Sequence, residues 1–392
     1  MNQYHYLIIG GGMTADAAVR GIRSIDKSGT IGLISNEAHI PYKRPPLSKA
    51  LWKGEPLESV WLQNAKEHAK IHTSRTVTAI RIADRQVVDD HGEVYAFKKL
   101  LIATGGRVRI LPFESDGIIY FRTLDDYNLL RRRTGKGVRF VVIGGGFIGS
   151  EVAAALAMNQ QKVTMIFPED GIGARVYPPR LSQFLNDYYA SKGVEVLSQD
   201  GVAAIARQGE AYLVKTSNGS EIPADTVVAG IGIQPNMELA QSAGLDVGNG
   251  ILVNQLLQTS HPDIYAAGDV ANFSNPALGT RIRVEHEDNA NMMGERAGKN
   301  MAGENEPYHH LPFFYSDLFD LGYEAVGELD SRLEVVEDWK EEFREGVVYY
   351  LDQQRVRGVL LWNTWDQVDN ARALIAGKGE FTPQSVKGKL PA

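Results

Sequence analysis

Two glycine turns carry the most chemically pointed spacing in this 392-residue chain, Gly10-x-Gly12-x-x-Ala15 and Gly144-x-Gly146-x-x-Gly149. In such a turn the first glycine makes the bend and the second lets the backbone approach a pyrophosphate. The small third residue allows the following helix to close on its strand. An acid follows each turn, Glu37 at 27 positions after Gly10 and Glu169 at 25 positions after Gly144. A carboxylate there accepts from a ribose 2′-hydroxyl and repels a 2′-phosphate, so Glu169 predicts NADH over NADPH. A solvated loop acid is the alternative for both, and Asn36 competes with Glu37. Gly268-Asp269, after an alanine-rich run, would set a carboxylate and glycine amides at a strand's carboxyl end, where doubly wound sheets bind ligands. An ordinary turn is the other reading.

The elements that must position these groups are legible as periodicity. Tyr6 to Ile9 is a short apolar strand, and Ala15, Ala17, Ala18, Val19 and Ile22 then recur at helical spacing. The same order returns at Arg139 to Ile143 and an alanine-rich helix through Met158. Further strands are predicted at Thr30 to Ser35, Val77 to Ile82, Leu100 to Ala103, Lys162 to Phe167, Val227 to Ile233, Gly250 to Val253 and Ile264 to Ala267. A helix is predicted over Asn289 to Met301, ended by Gly303. Pro45 and Pro46 predict the start of a helix whose first turn carries Ser48 and Lys49. From Pro307 the texture changes to strand runs such as Val347 to Tyr350 and Gly358 to Trp362, with a short helix near Asp369 to Ile375. The polar stretch after Gly377 is predicted to be loose.

Composition narrows the chemistry. A net charge of −7, 43% hydrophobic and 23% charged residues describe an ordinary soluble protein, without the basic excess that nucleic acid or anionic lipid demands. From Pro307 onward fifteen acids face nine bases, so most of the negative charge lies in the last part. There is no cysteine. That excludes disulfide staples, thiolate metal sites, iron–sulfur ligation and any dithiol redox centre, and with them disulfide reduction. No apolar run reaches the roughly 18 residues of a spanning helix, and a cytoplasmic location is expected. His309-His310 offers no spaced ligand set, so no metal site is expected. Arg131-Arg132-Arg133, with Lys136 and Arg139, could steer an acidic electron carrier; a solvated helix face is the simpler reading.

Taken together, both fingerprints, Ala103-Thr104-Gly105, Gly232-Ile233-Gln234-Pro235-Asn236 and Ala267-Gly268-Asp269, in this order, resemble the two-dinucleotide flavoprotein reductases. Within that group Pro41 to Lys49, Gly146-Phe147-Ile148-Gly149-Ser150-Glu151, Val284-Glu285-His286, Ser316-Asp317, Gly322 to Ala325 and Val359 to Asn363 are similar to the apoptosis-inducing-factor-like FAD-dependent pyridine nucleotide reductases, near the ferredoxin and rubredoxin reductases. The resemblance implies an α/β fold with two Rossmann-like, doubly wound, dinucleotide-binding domains and a C-terminal α+β domain. It assigns FAD to 1–121 and 250–306, NAD(H) to 122–249, and the C-terminal domain to 307–392.

The resemblance also implies roles. Lys49 and Glu151 would form an ion pair near flavin N5, Phe147 would meet the nicotinamide face, and Glu285 and His286 would stand by the flavin. Gly10, Gly12, Ala15, Glu37, Arg44, Ala103, Thr104, Gly105, Gly268, Asp269 and Tyr315 fall among the cofactor-binding positions, as do Gly144, Gly146, Ile148, Gly149, Glu169 and Gly232. Tyr315 stands where the family commonly has tryptophan, which bears on how tightly oxidised nicotinamide is held. The implied reaction is hydride transfer from NADH to flavin N5, then electrons to a ferredoxin- or rubredoxin-type carrier, a quinone or oxygen. The alternative is a redox-sensing binding protein whose NADH-dependent reduction controls dimerisation or partner docking, with a homodimer as its assembly. Between Asp330 and Glu345 there is only a short acidic link, without room for the long insertion of the animal protein, so no cell-death role is carried over.

Overall fold

The computed structural model describes residues 2–113, 116–377 and 379–391. The chain forms two compact units. The first comprises Met1–Lys43, Glu58–Arg107 and Gln234–Phe313; the second comprises Arg44–Leu57, Val108–Ile233 and Phe314–Ala392.

The first unit is built on a seven-stranded sheet. Its centre is the strand Asn2–Ile9, flanked in parallel by Ile31–Ile34 and Val94–Ile102, with Ile9 facing both Ile34 and Ile102. Ile264–Ala266 adds in parallel to the other side of Val94–Ile102. Leu7, Ile8, Leu100, Leu101 and Ile102 are all fully buried, the continuous apolar run expected where helices cover both faces of a parallel sheet. The helix Met13–Ile25 closes on this core through Ala15, Ala18, Val19 and Ile22. A second helix, Glu287–Met301, lies against it.

The second unit repeats the plan. A parallel five-stranded sheet runs in the order Val194–Leu197, Lys162–Ile166, Arg139–Ile143, Thr226–Ala229, Ile119–Tyr120. The helix Phe147–Met158 follows its middle strand and is buried on nearly every side from Gly149 to Leu156. A further five-stranded sheet, in the order Phe313–Leu318, Leu321–Gly327, Arg355–Trp362, Glu345–Asp352, Glu334–Glu341, forms the C-terminal part, with the helix Val368–Ala376.

Two local expectations are corrected. The prolines do not start an α-helix; they open two 3₁₀ turns, Pro45–Leu47 and Ala50–Lys53. The tightening has a visible grip, because the Trp52 indole N–H donates to the Leu47 carbonyl at 2.7 Å. The stretch after Gly377 is also ordered by its contacts, Lys378 apart, which lies outside the described residues. Thr382 caps a short helix, Pro383–Val386, Val386 and Leu390 are buried, and the Leu390 amide donates to the Tyr349 hydroxyl at 3.0 Å. Two apolar side chains thus hold a segment whose polar composition hid them.

Candidate functional site

In the first unit the glycine turn has a steric basis. Gly10 has φ +121°, and a Cβ there would stand 2.1 Å from the Ala103 carbonyl oxygen, so only glycine fits against the Ala103-Thr104-Gly105 strand end. At Gly12 a Cβ would meet nothing within 4 Å, and Gly12 caps the helix Met13–Ile25 without a side-chain hydrogen bond. A helix N-terminus with its entrance cleared is where a phosphate is held by backbone N–H groups and the helix dipole. Gly268, at φ +79°, approaches the same helix, its would-be Cβ 2.3 Å from the Thr14 hydroxyl. These residues therefore fit one half of a dinucleotide.

Glu37 is half-buried and accepts a 2.5 Å hydrogen bond from the buried Tyr42 hydroxyl, which fixes its direction; Asn36 is exposed. Thr104 and Asn236 join two of the sequence motifs: the Thr104 hydroxyl donates to the Asn236 carbonyl at 2.8 Å, and the Asn236 amide donates back to the Thr104 carbonyl at 2.9 Å. Asp269 and Glu285 meet through a residue that the motifs did not mark. Arg283 donates to the Asp269 carbonyl at 3.0 Å and ion-pairs with Glu285 at 2.6 Å. His286 is the N-cap of the helix Glu287–Met301, and its carbonyl accepts from Ala290.

In the second unit Gly144 has φ +112°, with a would-be Cβ 2.6 Å from the Gly230 carbonyl oxygen, and a Cβ on Gly149 would stand 2.0 Å from the Gly144 carbonyl oxygen. Gly146, like Gly12, opens on empty space at an uncapped helix start. This half likewise fits a pyrophosphate. Ile148 is 38% exposed. Gly232, at φ +92°, accepts through its carbonyl from the Arg109 amide. Glu169 is not alone. Arg175, itself 85% exposed, ion-pairs with it at 2.7 Å. Sequence reasoning missed this arginine, whose charge offsets that of the acid expected to select NADH.

The buried ion pair lies four residues beyond Phe147. Lys49 Nζ is 2.7 Å from Glu151 Oε2, with the two side chains 11% and 3% exposed. Among the described residues the Ser48 hydroxyl also donates to Oε2 at 2.6 Å, and the Ser316 hydroxyl donates to Oε1 at 2.6 Å. Removing two charges from water is costly, and the pair persists because hydroxyl donors serve both carboxylate oxygens. Lys49 Nζ also stands 5.4 Å from the centre of the Tyr315 ring. Phe147 meets Phe314 edge-on, with ring centres 5.4 Å apart. The expected Lys49–Glu151 pair is formed; Ser48, Ser316 and the Tyr315 contact were not anticipated.

Behind the pair lies a buried aromatic group. Burial holds Tyr177, Tyr189 and Tyr323 well above the ordinary tyrosine range, and the Glu151 charge pushes each further in the same direction. These phenols therefore stay neutral. Tyr323 stacks on Trp362, with planes 8° apart. Arg44 is fixed by donating to the Arg122 carbonyl at 3.0 Å. Of the basic run, Arg131 is stacked over Trp52 at 4.7 Å and Arg139 is paired with Asp225, whereas Arg132, Arg133 and Lys136 are exposed.

Two glycine turns with open helix starts, each at the end of a parallel strand, and a buried lysine–glutamate pair are features that fit a two-dinucleotide reductase. Residues 4–294 match the pyridine nucleotide-disulphide oxidoreductases, and the chain belongs to that family. Residues 297–341 and 336–377 match the C-terminal domain of mitochondrion-associated apoptosis-inducing factor. The chain is 35% identical to apoptosis-inducing factor 1 of Dictyostelium discoideum over 96% of its length and 79% of that protein's. It is 32% identical to putidaredoxin reductase of Pseudomonas putida, covering 96% and 93% of the two chains. Among solved structures it is similar to the putidaredoxin reductase–putidaredoxin complex, with TM-score 0.90, 31% identity and 98% and 95% coverage. The ferredoxin reductase for the CYP199A2 system of Rhodopseudomonas palustris gives TM-score 0.89, 30% identity and 98% and 96% coverage.

The protein is thus an FAD-dependent NAD(P)H oxidoreductase with FAD and NAD(H) as its cofactors. The disulphide of the family's name has no counterpart, since the chain holds no cysteine. Among the described residues no helix is long and apolar enough to cross a membrane.

Proposed function

We propose that this protein takes electrons from NADH and delivers them singly to a small ferredoxin-type carrier protein. The observation that carries the reading is the buried Lys49–Glu151 pair, beside a glycine turn whose helix start is open. When bound, the nicotinamide supplies a hydride, and the flavin converts that two-electron input into single-electron output. The Gly10–Ala15 turn and Glu37 hold the FAD pyrophosphate and ribose, with Ala103, Thr104, Gly105, Gly268 and Asp269 closing the same half-site. The Gly144–Gly149 turn and Glu169 hold the nicotinamide nucleotide, and Ile148 and Gly232 shape its entrance. Lys49 presents a cation to the reacting ring, where negative charge grows on reduction, and Glu151 keeps that cation in place. Phe147 offers an aromatic face, while Arg44, Glu285, His286 and Tyr315 complete the cofactor contacts.

The carrier assignment draws support from relatives whose names include ferredoxin reductases, a putidaredoxin reductase among them. Exposed Arg132, Arg133 and Lys136 supply the positive charge that steers an acidic partner. A cytoplasmic site for the reaction belongs to this reading. Stopped-flow turnover with a panel of ferredoxins and rubredoxins tests the reading. At least one carrier is expected to re-oxidise the flavin far faster than oxygen does, and equally slow rates with all would remove the assignment.

The match of the C-terminal residues to apoptosis-inducing factor favours a second reading, a redox-sensing binding protein that pairs into a homodimer when NADH reduces it. Size-exclusion chromatography with and without NADH separates the two, since an unchanged elution volume counts against the switch.

A further inference from the structure

The strand Phe313–Leu318 alternates between two rows, and each row meets a different helical element at matched spacing. On its inner row, Phe314 meets Phe147 and Ser316 donates to Glu151. Phe147 and Glu151 are four apart on the helix Phe147–Met158. On its outer row, Tyr315 lies under the Lys49 ammonium and Asp317 pairs with Lys53 at 2.9 Å. Lys49 and Lys53 are likewise four apart, across the 3₁₀ turn Ala50–Lys53. Two residues of strand advance about 6.6 Å. Four residues of α-helix advance about 6 Å, and four of 3₁₀-helix about 8 Å. One strand therefore sets the register of the two segments that supply the ion pair.

Within this strand Ser316 has the decisive position. Lys49 and Ser48 both lie on Oε2 of Glu151, which leaves rotation of the carboxylate about its last, soft torsion to be fixed by whatever holds Oε1. Ser316 holds it, from a site only 1% exposed where water does not replace a lost donor. On the adjoining strand the buried Tyr323 hydroxyl lies beside Ser316 and Tyr177.

We propose that Ser316 is a positioning residue for the reaction: by fixing the Glu151 carboxylate it aims the Lys49 ammonium, so the C-terminal sheet sets the geometry of the ion pair. The assignment rests on the functional reading above. Its test is rapid anaerobic reduction of the FAD-loaded protein by NADH, comparing wild type with Ser316→Ala, Ser316→Thr, Tyr323→Phe, Glu151→Ala and the Ser316→Ala/Glu151→Ala double variant. Ser316→Ala is expected to keep its flavin and an unchanged KM for NADH while kcat falls about tenfold or more, the scale of one lost hydrogen bond to a charged group. Ser316→Thr keeps the hydroxyl and is expected within about twofold of wild type. Tyr323→Phe removes the neighbouring hydroxyl but leaves Ser316 on Oε1, and is expected to slow reduction less than Ser316→Ala does. Because Ser316 acts through Glu151, its loss is expected to add nothing once Glu151 is alanine.

A wild-type rate in Ser316→Ala, failure of threonine to rescue, or a Ser316→Ala penalty that persists in full beside Glu151→Ala overturns the assignment. Each of those results leaves the functional reading standing when the wild type is bleached by NADH. A wild-type flavin that NADH does not bleach overturns both.

Discussion

The Lys49 ammonium lies 2.7 Å from a Glu151 carboxylate that is 3% exposed, so neither charge has water to fall back on. Breaking a buried pair by removing one partner typically costs about 3–5 kcal/mol, because the other charge is stranded. Glu151→Ala and Lys49→Ala are each expected to lower unfolding stability on that scale, whereas removing both together is expected to cost less than the sum. Denaturant unfolding of the two single variants and the double variant reads this directly. Additive losses would mean that the pair is not coupled as the distance implies.

Gly12 and Gly146 separate ligand binding from folding. Their φ values of −95° and −83° suit any residue, and a methyl group there meets no protein atom within 4 Å. Alanine at either position is therefore expected to leave the melting temperature of the cofactor-free protein within about 2 °C of wild type, the scale of a neutral surface change. Gly12→Ala is expected to weaken FAD binding at least about tenfold, and Gly146→Ala to raise KM for NADH similarly, since each methyl occupies the space a pyrophosphate needs. Equilibrium flavin binding and steady-state kinetics check both. Unchanged affinities would show that the open helix starts are not phosphate sites.

The Glu169–Arg175 ion pair, 2.7 Å long, bears on coenzyme choice. Removing the acid frees an arginine able to take a 2′-phosphate, so Glu169→Ala is expected to shift the ratio of kcat/KM for NADPH over NADH upward by about tenfold or more. Arg175→Ala is expected to move the ratio the other way. Kinetics with both coenzymes decides this, and an unmoved ratio in both variants would take the pair out of coenzyme selection.

Asp26 and Tyr6 give the first unit a two-sided pH dependence. Asp26 accepts from the Gly29 and Ser28 amides and from the Tyr6 hydroxyl, which together hold its carboxyl far below the usual range. Burial, with the Asp26 bond next, pushes Tyr6 up to about 12. A lowered carboxylate pKa adds stability above the unfolded value, and that stability is lost as acid protonates the folded group. A raised phenol pKa adds stability that is whole below about 10 and declines as pH rises through about 12. Melting temperature against pH is therefore expected to fall off below about pH 4 and above about pH 10. Tyr6→Phe is expected to make the alkaline limb shallower, other buried phenols such as Tyr95 supplying what remains, and a limb unchanged in that variant would assign it elsewhere.

Much of the nucleotide-binding framework was legible because its cause is local. A strand, a glycine turn and a helix sit within twenty-odd residues, although the carbonyls that exclude a side chain at Gly10 and Gly144 belong to Ala103 and Gly230, far along the chain. The Lys49–Glu151 pair was reached through family resemblance, since nothing in the spacing of two residues 102 positions apart brings them together. Ser48 and Ser316 went unread for the same reason: their bonds to Glu151 span 103 and 165 positions. A serine has no periodicity that announces a buried carboxylate. The prolines at 45 and 46 signalled the start of a helix, but its tightening into 3₁₀ turns goes with the Trp52 indole gripping Leu47, which propensity alone does not contain.

Anaerobic titration of the yellow, FAD-loaded protein with NADH, followed by an oxidised ferredoxin-type carrier, tests the central claim most directly. The flavin absorbance is expected to bleach in proportion to the NADH added and to return when the carrier is introduced. A protein that purifies without flavin and takes up none, or a bound flavin that stays yellow in excess NADH, would contradict the account.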